Sequence, residues 1–143
     1  MRKSILLFLS YILFYSAIYA EEFRFALLTD IHITPKTSSL EDLQNSVNQI
    51  NTSGDIDFVL VTGDITEEGD RASMTAAKLI LDQLKMKYYI IPGNHDTKWS
   101  ESGGTYFSKL FGNDRFKFEY DGFLFLGFNT GPLLRIADGH VYP

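Results

Sequence analysis

Three short, largely apolar runs, Phe23 to Leu28, Phe58 to Val61 and Tyr88 to Ile91, each end in side chains of the kind that bind metals. Asp30 and His32 follow the first run, Gly63-Asp64 the second, and Gly93-Asn94-His95-Asp96 the third. The spacing is 34 residues from Asp30 to Asp64 and 30 from Asp64 to Asn94. Spacings of that size accommodate a strand, a crossover helix and two turns. Unbroken apolar runs of strand length fit strands covered on both faces.

The intervening segments carry helical patterns. Ser39 precedes a stripe of Leu40, Leu43, Val47 and Ile50, with Asp42 three residues on as a capping partner and Gly54 as the stop. A second helix is expected over 71–85, with Ala76, Leu79, Ile80 and Leu84 inward. Glu67 and Glu68 read better as its acidic first turn, near the positive end of the helix dipole, than as ligand-binding groups. Beyond Pro92 the pattern changes. A Gly- and Ser-rich stretch over 97–104 contains Trp99, which suits loop packing or the lining of a pocket, while Tyr106 and Phe107 read as core. Phe116, Phe118 and Tyr120 alternate with Lys117 and Glu119, and Asp121-Gly122 leads into the apolar run Phe123 to Phe128. Alternation around an Asp-Gly turn signals a β-hairpin. The fold class is therefore α/β, a βαβαβ parallel sheet followed by a β-hairpin that opens a second sheet.

In a parallel sheet all strand C-termini lie on one edge, where ligands of open α/β sheets bind. Asp30/His32, Asp64 and Asn94/His95 fall at those ends. Asp30 and His32 are two apart, so an extended backbone points both the same way. Gly63 and Gly93 let the chain turn sharply beside a bound ion or phosphate. Carboxylate, imidazole and amide ligands without sulfur suit Mn, Fe or Zn. Two such cations about 3.5–4 Å apart can clamp a phosphoryl group and supply a hydroxide nucleophile. Asp64, on the middle strand, is placed to bridge them.

The chain has 143 residues, and residues 1–20 read as a signal peptide. Arg2 and Lys3 precede an apolar stretch, and Ala20 offers a small residue at the cut. Ile18 is bulky for its position, and the alternative is an uncleaved N-terminal anchor. After cleavage no stable membrane anchor is expected, and the domain occupies 21–143, periplasmic or secreted. The absence of cysteine excludes disulfides, thiolate sites and lipid attachment at cysteine. Removing residues 1–20 takes away two bases and no acids, which leaves 11 basic against 18 acidic side chains. That balance argues against a nucleic-acid or anionic-membrane surface.

Asp30-Ile31-His32, Gly63-Asp64 and Gly93-Asn94-His95-Asp96 resemble the opening signature of the calcineurin-like metallophosphoesterase superfamily. Phe116 to Thr130, with Asn129-Thr130 at its polar end, is similar to that family's hairpin. The resemblance implies an α/β sandwich and hydrolysis of small phosphate mono- or diesters by a metal-bound hydroxide at a dinuclear centre. It implies that Asp30 and His32 bind the first metal, that Asp64 bridges and that Asn94 binds the second. His95 would contact the phosphate and protonate the leaving alkoxide, and Asp96 would orient His95. A purple-acid-phosphatase variant would carry a tyrosine three residues after Asp64, where Glu67 stands.

The family pattern continues with a further metal-binding histidine and a Gly-His-x-His segment. This chain has only His32, His95 and His140, and Asp138-Gly139-His140-Val141 reads as a linker. The second metal site is expected to be incomplete, and the domain to be truncated at its C-terminus. The resulting alternatives to an active enzyme are a non-catalytic metal-binding remnant and a half-domain needing a C-terminal partner. Unpaired strands of the second sheet would then expose an apolar edge and face.

Overall fold

A computed structural model describes residues 22–97, 100 and 102–131. The expected signal segment, Trp99 and His140 lie outside the described residues. The elements are β1 (Phe25–Leu28), α1 (Ser39–Ser53), β2 (Phe58–Thr62), α2 (Arg71–Leu81), β3 (Lys87–Ile91), α3 (Asn94–Thr97), α4 (Thr105–Phe111), β4 (Arg115–Tyr120) and β5 (Phe123–Phe128). β1, β2 and β3 form a parallel sheet with β2 in the middle, in register Leu28–Val61 and Val61–Ile90. β4 and β5 form the antiparallel hairpin. The βαβαβ-plus-hairpin reading holds.

Alternation along the strands sorts the core into two chemistries. Val59, Val61 and Ile90 turn to the helices, where Leu43 and Val47 of α1 and Met74, Ala77 and Leu81 of α2 complete an aliphatic layer. Crossovers between parallel strands are right-handed as a rule, and with the strands in the order β1-β2-β3 that rule puts both helices on one face. The opposite face is aromatic. Phe58, 2% exposed, sits among Phe25, Phe118, Tyr120 and Phe125 at ring-centroid distances of 5.1–5.4 Å. Tyr89 stacks on Phe118. The hairpin is thus a second layer, held to the first by rings.

Several boundaries move for identifiable reasons. The N-cap of α1 is Ser38 and not Ser39, and it is the Ser38 hydroxyl that donates to Asp42 (2.8 Å). α2 ends at Leu81 because Gln83 and Leu84 bond three residues back, to Ile80 and Leu81, and tighten the last turn. Glu67 and Glu68 are not in α2. The helix begins at Arg71, where Asp70 caps it by accepting the Ser73 N–H (2.9 Å). α4 was not expected from the sequence; it buries Phe107, as expected of that residue, against the core.

The outer face of the hairpin is half charged and half apolar. Arg115, Lys117 and Glu119 of β4 pair with Phe128, Leu126 and Leu124 of β5. Those three apolar side chains are 43–52% exposed. No helix among the described residues is long and apolar enough to cross a membrane.

Phe58 joins both layers, so Phe58→Ala should cost about 3–5 kcal/mol. Urea unfolding followed by far-UV circular dichroism reads the loss as a lowered midpoint at unchanged slope. A cost below about 1 kcal/mol would mean that the hairpin does not pack on the sheet in solution.

Candidate metal centre

The loops that leave β1 and β2 are laced together. Asp30 N–H donates to Gly63 O (3.2 Å), His32 N–H to Asp64 O (2.9 Å) and Ile33 N–H to Ile65 O (2.9 Å), and Glu67 N–H returns to Ile33 O (3.1 Å). The lacing puts Asp30, His32 and Asp64 in the left-handed region, with φ of 53°, 50° and 47°. Each such residue costs roughly 1 kcal/mol or more, and strain of this kind gathers at functional sites. The side chains of Asp30 and His32 therefore do not converge through an extended backbone, as the two-residue spacing suggested. Two left-handed residues flanking Ile31 bring them together. His32 Nε2 lies 4.0 Å from Asp30 Oδ1, and Thr29 Oγ1 steadies the other Asp30 oxygen (2.6 Å). Ligand atoms of Asp30, His32 and Asp64 all lie within 4.8 Å of one another.

The third loop docks through glycine. A Cβ on Gly93 would stand 2.1 Å from Asp64 Oδ1, and one on Gly63 2.7 Å from Gly93 N. Only bare backbone fits there. The contact lets Asp64 Oδ1 accept the His95 N–H (3.0 Å), so the central carboxylate and the third loop hold each other. Asn94 is exposed at the start of α3, between Gly93 and His95 in the chain.

Asp96 is wholly buried. Its carboxylate accepts Ile65 N–H, Thr66 N–H and Oγ1–H, and Gly93 N–H, all at 2.9–3.0 Å. Burial pushes its pKa up, against the pull of those four donors. The His95 ring takes its orientation elsewhere: Nδ1 meets the main-chain carbonyl of Glu67 at 2.7 Å. The support expected of Asp96 for His95 is thus indirect, through the 65–66 turn that carries Glu67. A carbonyl can only accept, so Nδ1 of His95 holds a proton.

Glu67 is the site residue that sequence reasoning misplaced. Its Oε2 lies 2.8 Å from His32 Nδ1, and the His32 and His95 rings stand edge to face, with centroids 4.8 Å apart. The signal was present in Asp70, a cap residue directly before the expected helix over 71–85, which starts that helix after Glu67. A cavity of about 370 Å³ is lined by Glu67 together with Ile33, Pro35, Leu40, Ala72 and Ala76 among others.

The donor set fits a divalent cation. Asp30, His32 and Asp64 offer two carboxylates and an imidazole from three neighbouring backbone positions, the hard and borderline ligands that Mn, Fe or Zn takes. A second group, His32, Glu67 and His95, shares His32. There the Nδ1 atoms are already hydrogen-bonded to Glu67, which makes that group the outer shell of the first.

Strand-end carboxylates and imidazoles laced onto a parallel sheet are those of a metallophosphoesterase, and this chain belongs to the calcineurin-like phosphoesterase family, whose sequence profile matches residues 23–141. Members of that family hydrolyse phosphoesters with divalent metal ions. Over 73 residues, 51% of the chain, it is 36% identical to a probable cyclic nucleotide phosphodiesterase of Vesicomyosocius okutanii subsp. Calyptogena okutanii (strain HA), covering 29% of that protein. Over 78 residues it is 28% identical to a probable cyclic nucleotide phosphodiesterase of Coxiella burnetii, covering 32%. The matched stretch spans about a third of the length of these relatives.

Two substitutions separate clamp from ligand. Asp96→Ala strands the backbone N–H groups of Ile65 and Thr66, both buried, and of Gly93, part-buried, and should cost on the order of 3 kcal/mol or more of stability, read by urea unfolding. Gly93→Ala drives a methyl group into Asp64 and should weaken Mn²⁺ binding at least tenfold by titration calorimetry. Unchanged Mn²⁺ affinity in Gly93→Ala would show that Asp64 does not bind the ion.

Proposed function

We propose that this chain carries the metal-binding half of an exported phosphoester hydrolase acting on phosphodiesters of the cyclic nucleotide class. The observation that supports it best is the convergence of Asp30, His32 and Asp64 on one point, with His95 anchored beside them. The bound metals, two in this reading, would polarise the phosphoryl oxygen and make water nucleophilic at neutral pH. Asp30 and His32 would hold the first ion, Asp64 would be shared between the two and Asn94 would serve the second. His95 faces the phosphate through Nε2 and gives its proton to the departing alkoxide, which cannot leave unaided. Asp96 keeps the two loops in register while this happens. The substrate class follows the names of the two relatives, and export follows the character of residues 1–20.

A second reading rests on the ligand count. Asp64 and Asn94 alone leave the second ion short of protein donors, and the matched stretch is about a third of each relative. In that reading the chain binds one metal and completes its site only with further polypeptide.

Turnover of bis-p-nitrophenyl phosphate and of a 3′,5′-cyclic nucleotide, with Mn²⁺ and after chelation, tests the proposal. The enzyme reading expects turnover that chelation abolishes and Mn²⁺ restores. It also expects His95→Ala to slow the alkoxide-leaving cyclic nucleotide roughly 100-fold or more and p-nitrophenolate release far less. A folded, Mn²⁺-loaded protein without turnover leaves the half-site reading. Equal loss on both substrates would remove His95 from the role of acid.

A further inference from the structure

Glu67 touches both histidines of the centre, but with different atoms. Its carboxylate Oε2 is 2.8 Å from His32 Nδ1. Its other oxygen, Oε1, is 3.9 Å from His95 Nδ1, beyond hydrogen-bond reach. What His95 Nδ1 does reach is the Glu67 main-chain carbonyl, at 2.7 Å. That carbonyl is held from the same peptide chain, since Glu67 N–H is tied to Ile33 O and Thr66 to the buried Asp96. One residue therefore serves two rings by two independent routes, and only one of them runs through its side chain.

We propose that the Glu67 carboxylate is a positioning residue for the metal ligand His32 and not for His95. The inference rests on the reading of Asp30, His32 and Asp64 as a metal site. A carboxylate at Nδ1 keeps the proton on that nitrogen and leaves the lone pair on Nε2. Nε2 is the atom that faces Asp30, at 4.0 Å. Free imidazole has no such bias built into it, and a ring with its proton on Nε2 must shift the proton and rotate before it can bind an ion there. The fixed tautomer also brings negative charge behind the ligand, which raises its basicity. His95 needs none of this from the side chain, because the main-chain carbonyl already fixes its Nδ1 proton. Losing the carboxylate should then weaken metal binding while leaving the proton donor set.

The side chains of Glu67 and His32 are 47% and 34% exposed, so truncating Glu67 leaves no buried void and the chain should fold. The test is ¹⁵N-histidine NMR on the metal-free 143-residue chain, above the ordinary histidine pKa of about 6.5, for wild type, Glu67→Gln and Glu67→Ala. Mn²⁺ titration calorimetry is run on the same three proteins. Wild type should show His32 with its proton on Nδ1. Glu67→Ala should move His32 toward the Nε2–H form and lower Mn²⁺ affinity about 10- to 100-fold. Glu67→Gln, whose amide oxygen still accepts, should keep the tautomer and lose less affinity. His95 should remain Nδ1–H in all three. The proposal is overturned if His32 is Nε2–H in wild type, if Glu67→Ala leaves its tautomer unchanged, or if His95 shifts and His32 does not. Should no variant, wild type included, bind Mn²⁺, the metal reading fails on its own, and the tautomers still decide what the carboxylate does.

Discussion

The buried carboxylate of Asp96 is the interaction on which the rest of the site depends. Four donors from two loops converge on it, and each loop ends a different strand. An ionised carboxyl removed from water is costly unless its lone pairs are met. Here they are met by backbone that would otherwise be orphaned. The exchange is mutual: the donors offset the desolvation of Asp96, and Asp96 satisfies donors no ladder can reach. What this holds in place is the turn at Ile65-Thr66, and with it both the carbonyl that grips His95 and the carboxylate that grips His32. Asp96 thus acts on the histidines without touching either ring.

The strain at Asp30, His32 and Asp64 belongs to the same economy of loops. A parallel sheet delivers three strand ends to one edge but says nothing about where side chains point once the strands stop. Left-handed turns at these residues, each laced to the neighbouring loop, bend the side chains inward. The cost of those conformations is carried by the aliphatic core below them, where Ile33 and Ile65 are both almost fully buried. These two isoleucines anchor the loops from beneath while their neighbours reach up toward a ligand. Gly63 and Gly93 complete the arrangement by letting the second and third loops touch at backbone distance.

Much of this was legible in the sequence because it follows from periodicity and position. The apolar runs, their spacing and the Asp-Gly turn specify the sheet and the hairpin, and strand ends specify the cluster. What could not be read was geometry that depends on a neighbouring loop. The spacing of Asp30 and His32 suggested an extended backbone; the lacing to Gly63 and Asp64 imposes a left-handed one. Asp96 adjoins His95 in sequence, yet adjacent residues in a helical turn point apart, and the tertiary donors claim its carboxylate. Glu67 looked like helix electrostatics because its partner, His32, is 35 residues away. α4 is too short for its periodicity to stand out, and it is ordered by Phe107 reaching the core.

Charge explains why such a site attracts a cation. Asp30, Asp64 and Glu67 present three carboxylates within a few ångströms of His32, on a chain of formal net charge -5. An anion approaching this edge without a cation would meet a field of its own sign. At an effective dielectric near 20, one unit charge at 4 Å is worth about 4 kcal/mol, so a single divalent ion would offset most of the charge of these three carboxylates. The carboxylates that repel an anion are those that attract a cation. Their number favours a cation over an anion at this edge, and the charge of Glu67 adds to that attraction while its carboxylate engages His32 Nδ1.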